Sequence, residues 1–505
     1  MLSVIKSIVL HGLEGFLINV EVDVSGGMPC WDIVGLPDTN IREAKERVKT
    51  AIKNCGIELL SRKYIINLSP ATIKKTGTLL DLPIAIGILK SIGIIKNQDF
   101  NNMILIGELS LSGKLNKING VLSMCIEAKK QKIEKIILPK INAKEARIIN
   151  GIKIVGVENL NECIDYLNGK INIKEEQEVV TNVVKNEDIL DYIDVKGQQT
   201  IKRALEIATS GSHNCLLIGS PGCGKTMMAQ RIPSIMPDLS FDEALEISKI
   251  YSVAGILKND FLMKKRPFRS PHHTITNTAL IGGGKIPKPG EISLAHMGVL
   301  FLDEFLEFNK STLELLRIPI ENKTVNISRV GMNVTYPANF MLVASTNPCP
   351  CGYYGSKLKK CICTEKQIKK YRAKLSGPII DRFDMHIKVS SIKYKELNDT
   401  DIENSKAIRE RVNIARKIQY ERYKKYSIYS NSEMTPNLIE KYCILKNKAK
   451  QILDKYFLKM KMTTRAYFKV LKVARTIADL EQSESVELEH VIEAIQYRSL
   501  DENED

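Results

Sequence analysis

The sequence lacks any long apolar run. No stretch of its 505 residues approaches the roughly 20 consecutive apolar residues of a transmembrane helix. The start, Met1-Leu-Ser-Val-Ile-Lys, alternates like a β-strand instead of forming the apolar core of a signal peptide. The eleven cysteines are mostly scattered over apolar segments and do not form a disulfide framework. We therefore expect a cytoplasmic protein of roughly two to four domains, with reduced thiols and no membrane association.

Acidic residues are scarcer than basic ones. The chain has 74 lysines and arginines against 58 aspartates and glutamates, a formal net charge of +16, which favours a polyanionic partner such as nucleic acid. Residues 357–374 hold eight basic residues and one acid, Glu365. Tyr353, Tyr354 and Tyr371 lie in or beside this segment, a composition that suits phosphate contacts with base stacking. A solvated basic face is the alternative interpretation.

One segment fits the phosphate-binding loop pattern G-x-x-x-x-G-K-[ST] at every fixed position. It follows an apolar run, Cys215–Gly219, and precedes a helical pattern from Met227, which is the strand–loop–helix context that the motif needs. The glycines let backbone N–H groups turn toward phosphates, Lys225 adds a positive charge, and the Thr226 hydroxyl can ligate Mg²⁺. The sequence thus predicts a nucleoside triphosphate site. Its predicted residues are Gly219, Ser220, Pro221, Gly222, Cys223, Gly224, Lys225 and Thr226.

Two acids follow a second apolar run. Residues 298–302 predict a buried strand of a parallel sheet, and Asp303 and Glu304 come directly after it. Beside the phosphate loop, Asp303 is predicted to bind Mg²⁺ together with Thr226, and Glu304 to orient and deprotonate the attacking water. A strand with a solvated acidic end would be the better interpretation of this segment alone. The preceding phosphate loop favours a hydrolysis site that uses ATP and Mg²⁺.

Three more polar residues lie where a hydrolysis site would need them. Asn347 ends a further apolar run, residues 340–346, and could hydrogen-bond the attacking water. Arg382 lies on a short helix-like segment, a suitable position for an arginine finger that reaches the γ-phosphate of a neighbouring subunit. Arg465 opens an amphipathic helix, from which it could reach phosphate in its own subunit. Each arginine alone would more often form a surface salt bridge, but their order along the chain favours catalytic roles.

Five segments carry a resemblance to a known family. They are Val195-Lys-Gly-Gln198, Arg266-Pro-Phe-Arg-Ser-Pro-His272-His273-Thr, Pro289-Gly-Glu-Ile-Ser-Leu-Ala-His296, Asn347-Pro-Cys-Pro-Cys-Gly352 and Ser376-Gly-Pro-Ile-Ile-Asp-Arg382. Through them the chain resembles the YifB/ComM family of magnesium-chelatase-like AAA+ ATPases. The resemblance implies a homo-oligomeric ring, expected to be a hexamer, that hydrolyses ATP. It also implies an ATP-driven DNA motor, known in ComM for branch migration during natural transformation, with single-stranded or branched DNA as partner.

The N-terminal part of the chain forms a separate unit. Residues 39–55 predict an amphipathic helix among strand-like runs, which indicates a mixed α+β domain. Segments 107–114 and 136–140 resemble the Lon-protease-type domain of the ribosomal S5 domain 2 superfamily. A Lon-type peptidase needs a serine in a turn and a lysine at the start of the next helix. Here the turn, residues 75–81, has no serine and the helix begins Gly120-Val-Leu, so we interpret the domain as a non-proteolytic relative used for assembly or partner binding.

These patterns predict an α/β fold class. We expect an AAA+ P-loop NTPase core with a parallel sheet, an N-terminal α+β S5 domain 2-like domain and a C-terminal helical lid. The polar stretch before the core lacks a sustained apolar face and is interpreted as a linker. The predicted boundaries are 1–170 for the N-terminal domain, 171–188 for the linker, 189–392 for the core and 393–505 for the lid.

Four cysteines lie close together in the sequence. Cys349, Cys351, Cys361 and Cys363 fall within fifteen residues, separated by a loop rich in glycine, tyrosine and lysine that would need a staple to be ordered. A structural Zn²⁺ is one interpretation. Reduced structural cysteines are the other, because C-x-C pairs are less common in zinc knuckles than C-x-x-C pairs.

Two loops are candidates for the central channel of a ring. Residues 282–290 are glycine-rich and carry Lys285 and Lys288, and residues 324–336 predict a hairpin with Arg329 near its tip. Both could face a phosphate backbone. Plain structural loops are nearly as good an interpretation.

Three functional classes remain open from the sequence. An ATP-driven DNA translocase or branch-migration helicase is favoured by the family resemblance and the positive charge. A chelatase-like motor that inserts metal into a tetrapyrrole is less favoured, because a fused Lon-like domain is not expected of such a motor. A protein-remodelling ATPase with the N-terminal domain as adaptor is the third.

Overall fold

The computed structural model describes residues 2–96, 99–173, 190–257, 261–329, 332–356, 359–375, 377–390, 403–426 and 428–498. No helix in these ranges is long and apolar enough to cross a membrane. The predicted linker lies almost wholly outside them, as do the predicted core–lid boundary at 392, Lys357 of the basic segment and Ser376. The domain boundaries therefore stay predictions.

The N-terminal region contains nine strands and five helices within its described residues. The strands are β1 (Ser3–His11), β2 (Glu14–Ser25), β3 (Cys30–Val34), β4 (Lys63–Ser69), β5 (Met103–Leu105), β6 (Glu108–Leu109), β7 (Leu115–Asn116), β8 (Lys135–Pro139) and β9 (Lys153–Val157). The helices are α1 (Thr39–Asn54), α2 (Asp81–Ser91), α3 (Val121–Lys130), α4 (Lys140–Ala146) and α5 (Leu160–Leu167).

Seven of these strands form one mixed sheet in the order β3-β4-β2-β1-β5-β8-β9. Strand β2 is antiparallel to β1 and β4, and the other neighbours are parallel. Adjacent residues of the inner strands enter different cores: Ile137 belongs to a core with α1, α2 and α5, whereas Ile136 belongs to one with α3 and α4. Both faces of the sheet are therefore covered, which is why its parallel strands are apolar at successive positions.

Helix α1 agrees with the helix predicted for residues 39–55. Its amino end is capped by the Asp38 carboxylate, which accepts a hydrogen bond from the Ile41 backbone N–H (2.9 Å). It ends at Asn54, and Gly56 follows with a φ of +81°, a conformation that favours glycine.

The central region contains nine strands within its described residues, and five of them form the second sheet. Its strands are β10 (Cys215–Gly219), β11 (Phe268–Arg269), β12 (Gly282–Gly283), β13 (Lys288–Pro289), β14 (Val299–Leu302), β15 (Thr324–Arg329), β16 (Met332–Pro337), β17 (Met341–Thr346) and β18 (Met385–Val389). Its helices are α6 (Gln199–Gly211), α7 (Lys225–Ile235), α8 (Phe241–Ala254), α9 (Asn277–Ile281), α10 (Glu291–Leu294), α11 (Lys310–Leu315), α12 (Arg317–Asn322), α13 (Glu365–Arg372) and α14 (Gly377–Ile380), with 3-10 turns at Tyr192–Asp194 and Phe305–Glu307.

Five parallel strands form this sheet in the order β11-β14-β17-β10-β18. Because β17 lies between β10 and β14, the carboxyl ends of these three strands are neighbours at one edge. In open parallel sheets the ligand site lies outside this edge. The pairs β12–β13 and β15–β16 are separate two-stranded hairpins, and the second confirms the hairpin predicted from the sequence.

The C-terminal region is helical. Its helices are α15 (Ser405–Tyr423), α16 (Pro436–Tyr442), α17 (Asn447–Lys459), α18 (Thr464–Leu480) and α19 (Leu488–Gln496), with a 3-10 turn at Asn431–Glu433. Their buried residues continue the core of α6, α7 and β10. Lys469 of α18 and Arg498 both donate to the carbonyl of Phe383 (2.9 Å each), and Lys469 also donates to the carbonyl of Asp381. The helical region therefore forms hydrogen bonds to the backbone on both sides of Arg382.

Candidate nucleotide site

The predicted phosphate loop joins β10 to α7. Gly222 and Gly224 have φ angles of +76° and +87°, which favour glycine. Lys225 is the first residue of α7 and only 8% exposed. Its Nζ donates to the carbonyls of Gly219 (2.6 Å) and Ser220 (3.0 Å). The ammonium therefore faces the hollow of the loop, where a triphosphate would offer oxygens instead.

The surroundings of Lys225 act on its pKa in opposite directions. Burial lowers the pKa, and the nearby Cys223, Asp303 and Glu304 offset part of this effect. The side chain thus lies in a partly dehydrated position beside two carboxylates. Its partial dehydration strengthens the attraction of the ammonium for an anionic phosphate, whereas the two carboxylates oppose the approach of that anion.

Asp303 lies directly beside the phosphate loop. Its Oδ2 accepts a hydrogen bond from Thr226 Oγ1 (2.7 Å). Its Oδ1 accepts from Ser345 Oγ and from the Glu304 backbone N–H (3.1 Å). The two predicted Mg²⁺ ligands, Thr226 and Asp303, are therefore within hydrogen-bonding distance, and their oxygens fit a hard divalent cation.

Glu304 follows with a more open side chain. It has a φ of +51° and its side chain is 59% exposed. The His273 imidazole lies nearby, with its Nδ1 3.8 Å from Glu304 Oε2. The ring of His272 lies against that of His273, tilted by 35°, with the centroids 4.0 Å apart. The Glu304 carboxylate is thus accessible to a water molecule, and its contact with His273 is longer than a hydrogen bond.

Asn347 completes the group at the edge of the sheet. It follows β17, and its Oδ1 accepts a hydrogen bond from Lys225 Nζ (3.2 Å). The ends of β10, β14 and β17 thus bring together Lys225, Asp303, Glu304 and Asn347, which span residues 225 to 347 of the sequence. Their individual roles stay predictions.

The two predicted arginines meet at a different point. Arg382 Nη2 lies 2.8 Å and Arg465 Nη2 lies 2.5 Å from the same oxygen, Oε1 of Glu321. Within the described residues neither arginine hydrogen-bonds to the phosphate loop. Arg382 is 8% exposed, its Nε and Nη1 are buried without a protein partner there, and burial together with Arg465 and Arg317 lowers its pKa. The structure therefore places Arg465 beside Arg382, with both paired to Glu321.

The four clustered cysteines also come together. Their Sγ atoms all lie within 4.8 Å of one another. Cys349 and Cys351 are 3.4 Å apart, Cys349 and Cys361 3.7 Å, and Cys351 and Cys361 3.5 Å. These separations are much longer than a disulfide bond. They are close to the edge of about 3.8 Å that a tetrahedron has when its metal–sulfur bonds are about 2.3 Å, so the cluster could hold a metal ion.

Three residues of the site were missed by the sequence reasoning. Ser345 precedes Asn347 by two positions, and the alternation of a strand could have placed both on one side. His273 lies in one of the family-like segments but has no local pattern that indicates contact with Glu304. Glu321 has no sequence signal, because its contact with the arginines depends on the packing of three distant segments.

Comparison with known proteins identifies the family. Models described as "Magnesium chelatase, subunit ChlI", "Subunit ChlI of Mg-chelatase" and "Magnesium chelatase, subunit ChlI C-terminal" match residues 191–397, 20–142 and 402–498. The chain is 41% identical to the uncharacterized protein YifB of Escherichia coli, over 99% of this chain and 97% of that protein. The chain belongs to the YifB/ComM family of magnesium-chelatase-like AAA+ proteins.

Other members are nearly as similar. Competence protein ComM of Haemophilus influenzae is 38% identical over 99% of this chain and 98% of its own length. An uncharacterized protein of Mycobacterium tuberculosis is 34% identical over 97% of both chains. Membership indicates an ATPase that uses ATP and Mg²⁺.

The family models also correct one argument. The N-terminal domain was expected to disfavour a chelatase-like motor, yet residues 20–142 match a model named after the ChlI subunit of magnesium chelatase. The presence of this domain therefore does not argue against that class.

Proposed function

We propose that the protein is an ATP-driven DNA motor of the ComM/YifB type, a translocase or branch-migration helicase that acts in natural transformation or recombination. We propose a homo-oligomeric ring, hexameric, as its working form in the cytoplasm. The observation that carries the proposal is the convergence of Lys225, Thr226, Asp303, Glu304 and Asn347 at one edge of the parallel sheet. The full-length similarity to a competence protein supports DNA as the substrate.

The geometry supports a division of labour in ATP hydrolysis. Lys225 and the N–H groups of the loop bind the phosphates. Thr226 and Asp303 would hold Mg²⁺, which would neutralise charge on the phosphates. Glu304, being exposed, accepts the proton of the attacking water, and Asn347 orients that water.

The pairing of Arg382 and Arg465 with Glu321 supports a contribution from a neighbouring subunit. Arg382 and Arg465 share Glu321 and do not reach their own phosphate loop in this conformation. In a ring with head-to-tail interfaces, arginines that do not reach their own phosphate loop are candidates for the next subunit's site. We therefore propose that both arginines act in trans, which differs from the role in its own subunit first expected for Arg465.

The two candidate channel loops form one basic surface. Tyr336 of β16 donates its hydroxyl to the carbonyl of Pro287 (2.8 Å). A methyl group placed on Gly283 would lie 3.4 Å from Arg329 Nη2, so the tip of β15 lies against β12. Lys285, Lys288 and Arg329 are all exposed there. Three cations on adjoining hairpins suit contacts with consecutive phosphates.

A triple alanine variant tests this surface. Replacing Lys285, Lys288 and Arg329 together removes up to three phosphate contacts, so the slope of log affinity against log salt should fall by about 2 for single-stranded DNA and slightly more for duplex. Binding should weaken equally for all DNA sequences, DNA should no longer stimulate ATP hydrolysis, and basal hydrolysis should persist.

The matched control removes two lysines and one arginine from the N-terminal helix α1: Lys49, Lys53 and Arg42, all exposed. It should keep the wild-type slope. A triple channel variant with wild-type slope and wild-type stimulation would exclude these loops, and the basic segment of residues 357–374 would become the better candidate.

The choice among functional classes needs one comparison of substrates. ATP turnover is measured with single-stranded DNA, forked DNA, an unfolded protein and a porphyrin. A DNA motor responds to the two DNAs only. Stimulation by porphyrin alone or by unfolded protein alone would favour a chelatase-like or a protein-remodelling ATPase.

We further propose Zn²⁺ as the ion of the four-cysteine cluster. Thiolates prefer Zn²⁺ among the abundant divalent cations, and four of them form a closed structural site. Metal analysis of the purified wild type should find one zinc per chain, lost in Cys361→Ser and retained in Cys30→Ser, a control in the N-terminal domain. Wild-type protein without bound metal would refute the assignment.

A further inference from the structure

The four-cysteine cluster continues directly from the catalytic edge of the sheet. Strand β17 ends at Thr346, Asn347 follows, and Cys349 is fully buried two residues later. The Tyr354 backbone N–H donates to Cys349 Sγ (3.3 Å), and the Cys351 backbone N–H donates to Cys363 Sγ (3.4 Å). Backbone N–H groups that donate to sulfur in this way are typical of thiolates that bind a metal.

The turn of residues 349–352, which leads from the first two cysteines to Tyr353 and Tyr354, packs on the phosphate loop. The Gly352 backbone N–H donates to the Cys349 carbonyl (2.9 Å), and Gly352 has a φ of +82°. A Cβ on Gly352 would lie 2.4 Å from Pro221 Cδ and 3.8 Å from Asn347 Cγ. The turn is therefore wedged between the phosphate loop and Asn347, with no room for a side chain.

The second pair of cysteines ties this turn to α13. Cys361 and Cys363 precede the helix, and the Arg372 guanidinium, at its end, lies 4.8 Å from the centre of the Tyr354 ring. Arg372 Nε also donates to the Pro348 carbonyl (3.4 Å). A metal that bound all four sulfurs would hold the turn, α13 and the segment after Asn347 as one unit.

We propose that the metal centre is a positioning element of the nucleotide site: by fixing the turn against Pro221, it holds Asn347 in the orientation that catalysis needs. The proposal rests on the ATPase activity and on the zinc assignment proposed above. The cysteines act through Asn347 and do not touch substrate. Loss of the metal should therefore lower kcat while the phosphate loop continues to bind ATP.

A double-mutant cycle tests this coupling. Zinc content, ATP affinity and kcat are measured for wild type, Cys361→Ser, Asn347→Ala and the double variant. Cys361→Ser should lose zinc and lower kcat about 10- to 100-fold, with a smaller change in KM. In the Asn347→Ala background the same substitution should lower kcat by less than about threefold, because coupled residues are not additive.

Each outcome separates this inference from the assignments beneath it. Wild type without zinc refutes the metal site, and wild type without ATPase activity refutes the proposed function. Zinc lost with kcat unchanged, or equal losses in both backgrounds, overturns the positioning role alone.

A second variant covers the case in which Cys361→Ser does not fold. Cys363→His keeps a metal-binding group, so its zinc occupancy can be titrated. Its kcat should rise with zinc occupancy when Asn347 is present. In Cys363→His/Asn347→Ala it should not. A rise in both, or in neither, would overturn the proposal.

Discussion

The arrangement of Arg382 and Arg465 leads to a prediction about which subunit each one serves. Both guanidinium groups bind Oε1 of Glu321. Truncating Arg382 to alanine leaves Glu321 paired with Arg465 and removes two buried guanidinium nitrogens that lack a protein partner within the described residues. The variant should therefore fold, with a change in unfolding free energy of about 1 kcal/mol or less.

The expected effect on turnover is much larger. An arginine that stabilises the transition state of phosphoryl transfer is worth about 10³- to 10⁵-fold in rate, which corresponds to about 4–7 kcal/mol of barrier. We expect Arg382→Ala to lose turnover in this range. We expect Arg465→Ala to lose turnover as well, with ATP binding retained in both.

Mixing experiments assign the arginines to subunits. In a ring of Arg382→Ala and Glu304→Gln protomers, some interfaces pair an intact Glu304 with an intact arginine of the neighbour. Random assembly at equal amounts gives about a quarter of such interfaces, so about a quarter of wild-type turnover should return. The same recovery is expected for Arg465→Ala mixed with Glu304→Gln.

The negative control mixes Lys225→Ala with Glu304→Gln. Both residues act within one site, so no interface is restored and the mixture should stay inactive. Inactivity of the Arg382 mixture at every ratio, with co-assembly verified, would refute action in trans. Inactivity of the Arg465 mixture alone would assign Arg465 to its own subunit.

Three further predictions concern the nucleotide site. Lys225→Ala should abolish ATP binding, because it removes the charge within the phosphate loop, and unchanged affinity in a fluorescent-nucleotide titration would contradict the assignment. Glu304→Gln should bind ATP like the wild type but hydrolyse it at least about 100-fold more slowly in single-turnover assays, since only the proton acceptor is lost. Gly352→Ala should weaken ATP binding or turnover, because its methyl group would lie 2.4 Å from Pro221 Cδ. The control is Gly355→Ala, where φ is also positive (+72°) but the space around the residue is open; this variant should bind and hydrolyse ATP like the wild type.

The convergence of the phosphate loop with Asp303 and Glu304 could be predicted from the sequence because its signals are local. The phosphate loop and the pair Asp303–Glu304 each combine an apolar strand with polar residues at its end, and a parallel sheet brings such ends together. The hairpin of residues 324–336 was predicted for a similar reason, since alternation within one segment defines it.

Contacts between distant segments could not be predicted in this way. The shared position of Arg382 and Arg465 depends on Glu321, which belongs to a third segment without any motif. The close contact between Gly352 and Pro221 depends on how two loops pack against each other. A glycine in a sequence does not indicate which residue will lie beside it. The cysteine spacing left zinc and free thiols open, and only the distances between sulfur atoms favour a metal.

The measurement that tests the central claim most directly is ATP-driven strand displacement on a forked DNA. We predict that the wild type displaces the labelled strand with ATP and Mg²⁺ and not with ADP. Glu304→Gln should bind the same fork with ATP and displace nothing. Steady ATP hydrolysis by the wild type without strand displacement or branch migration on any forked or branched DNA would contradict the account.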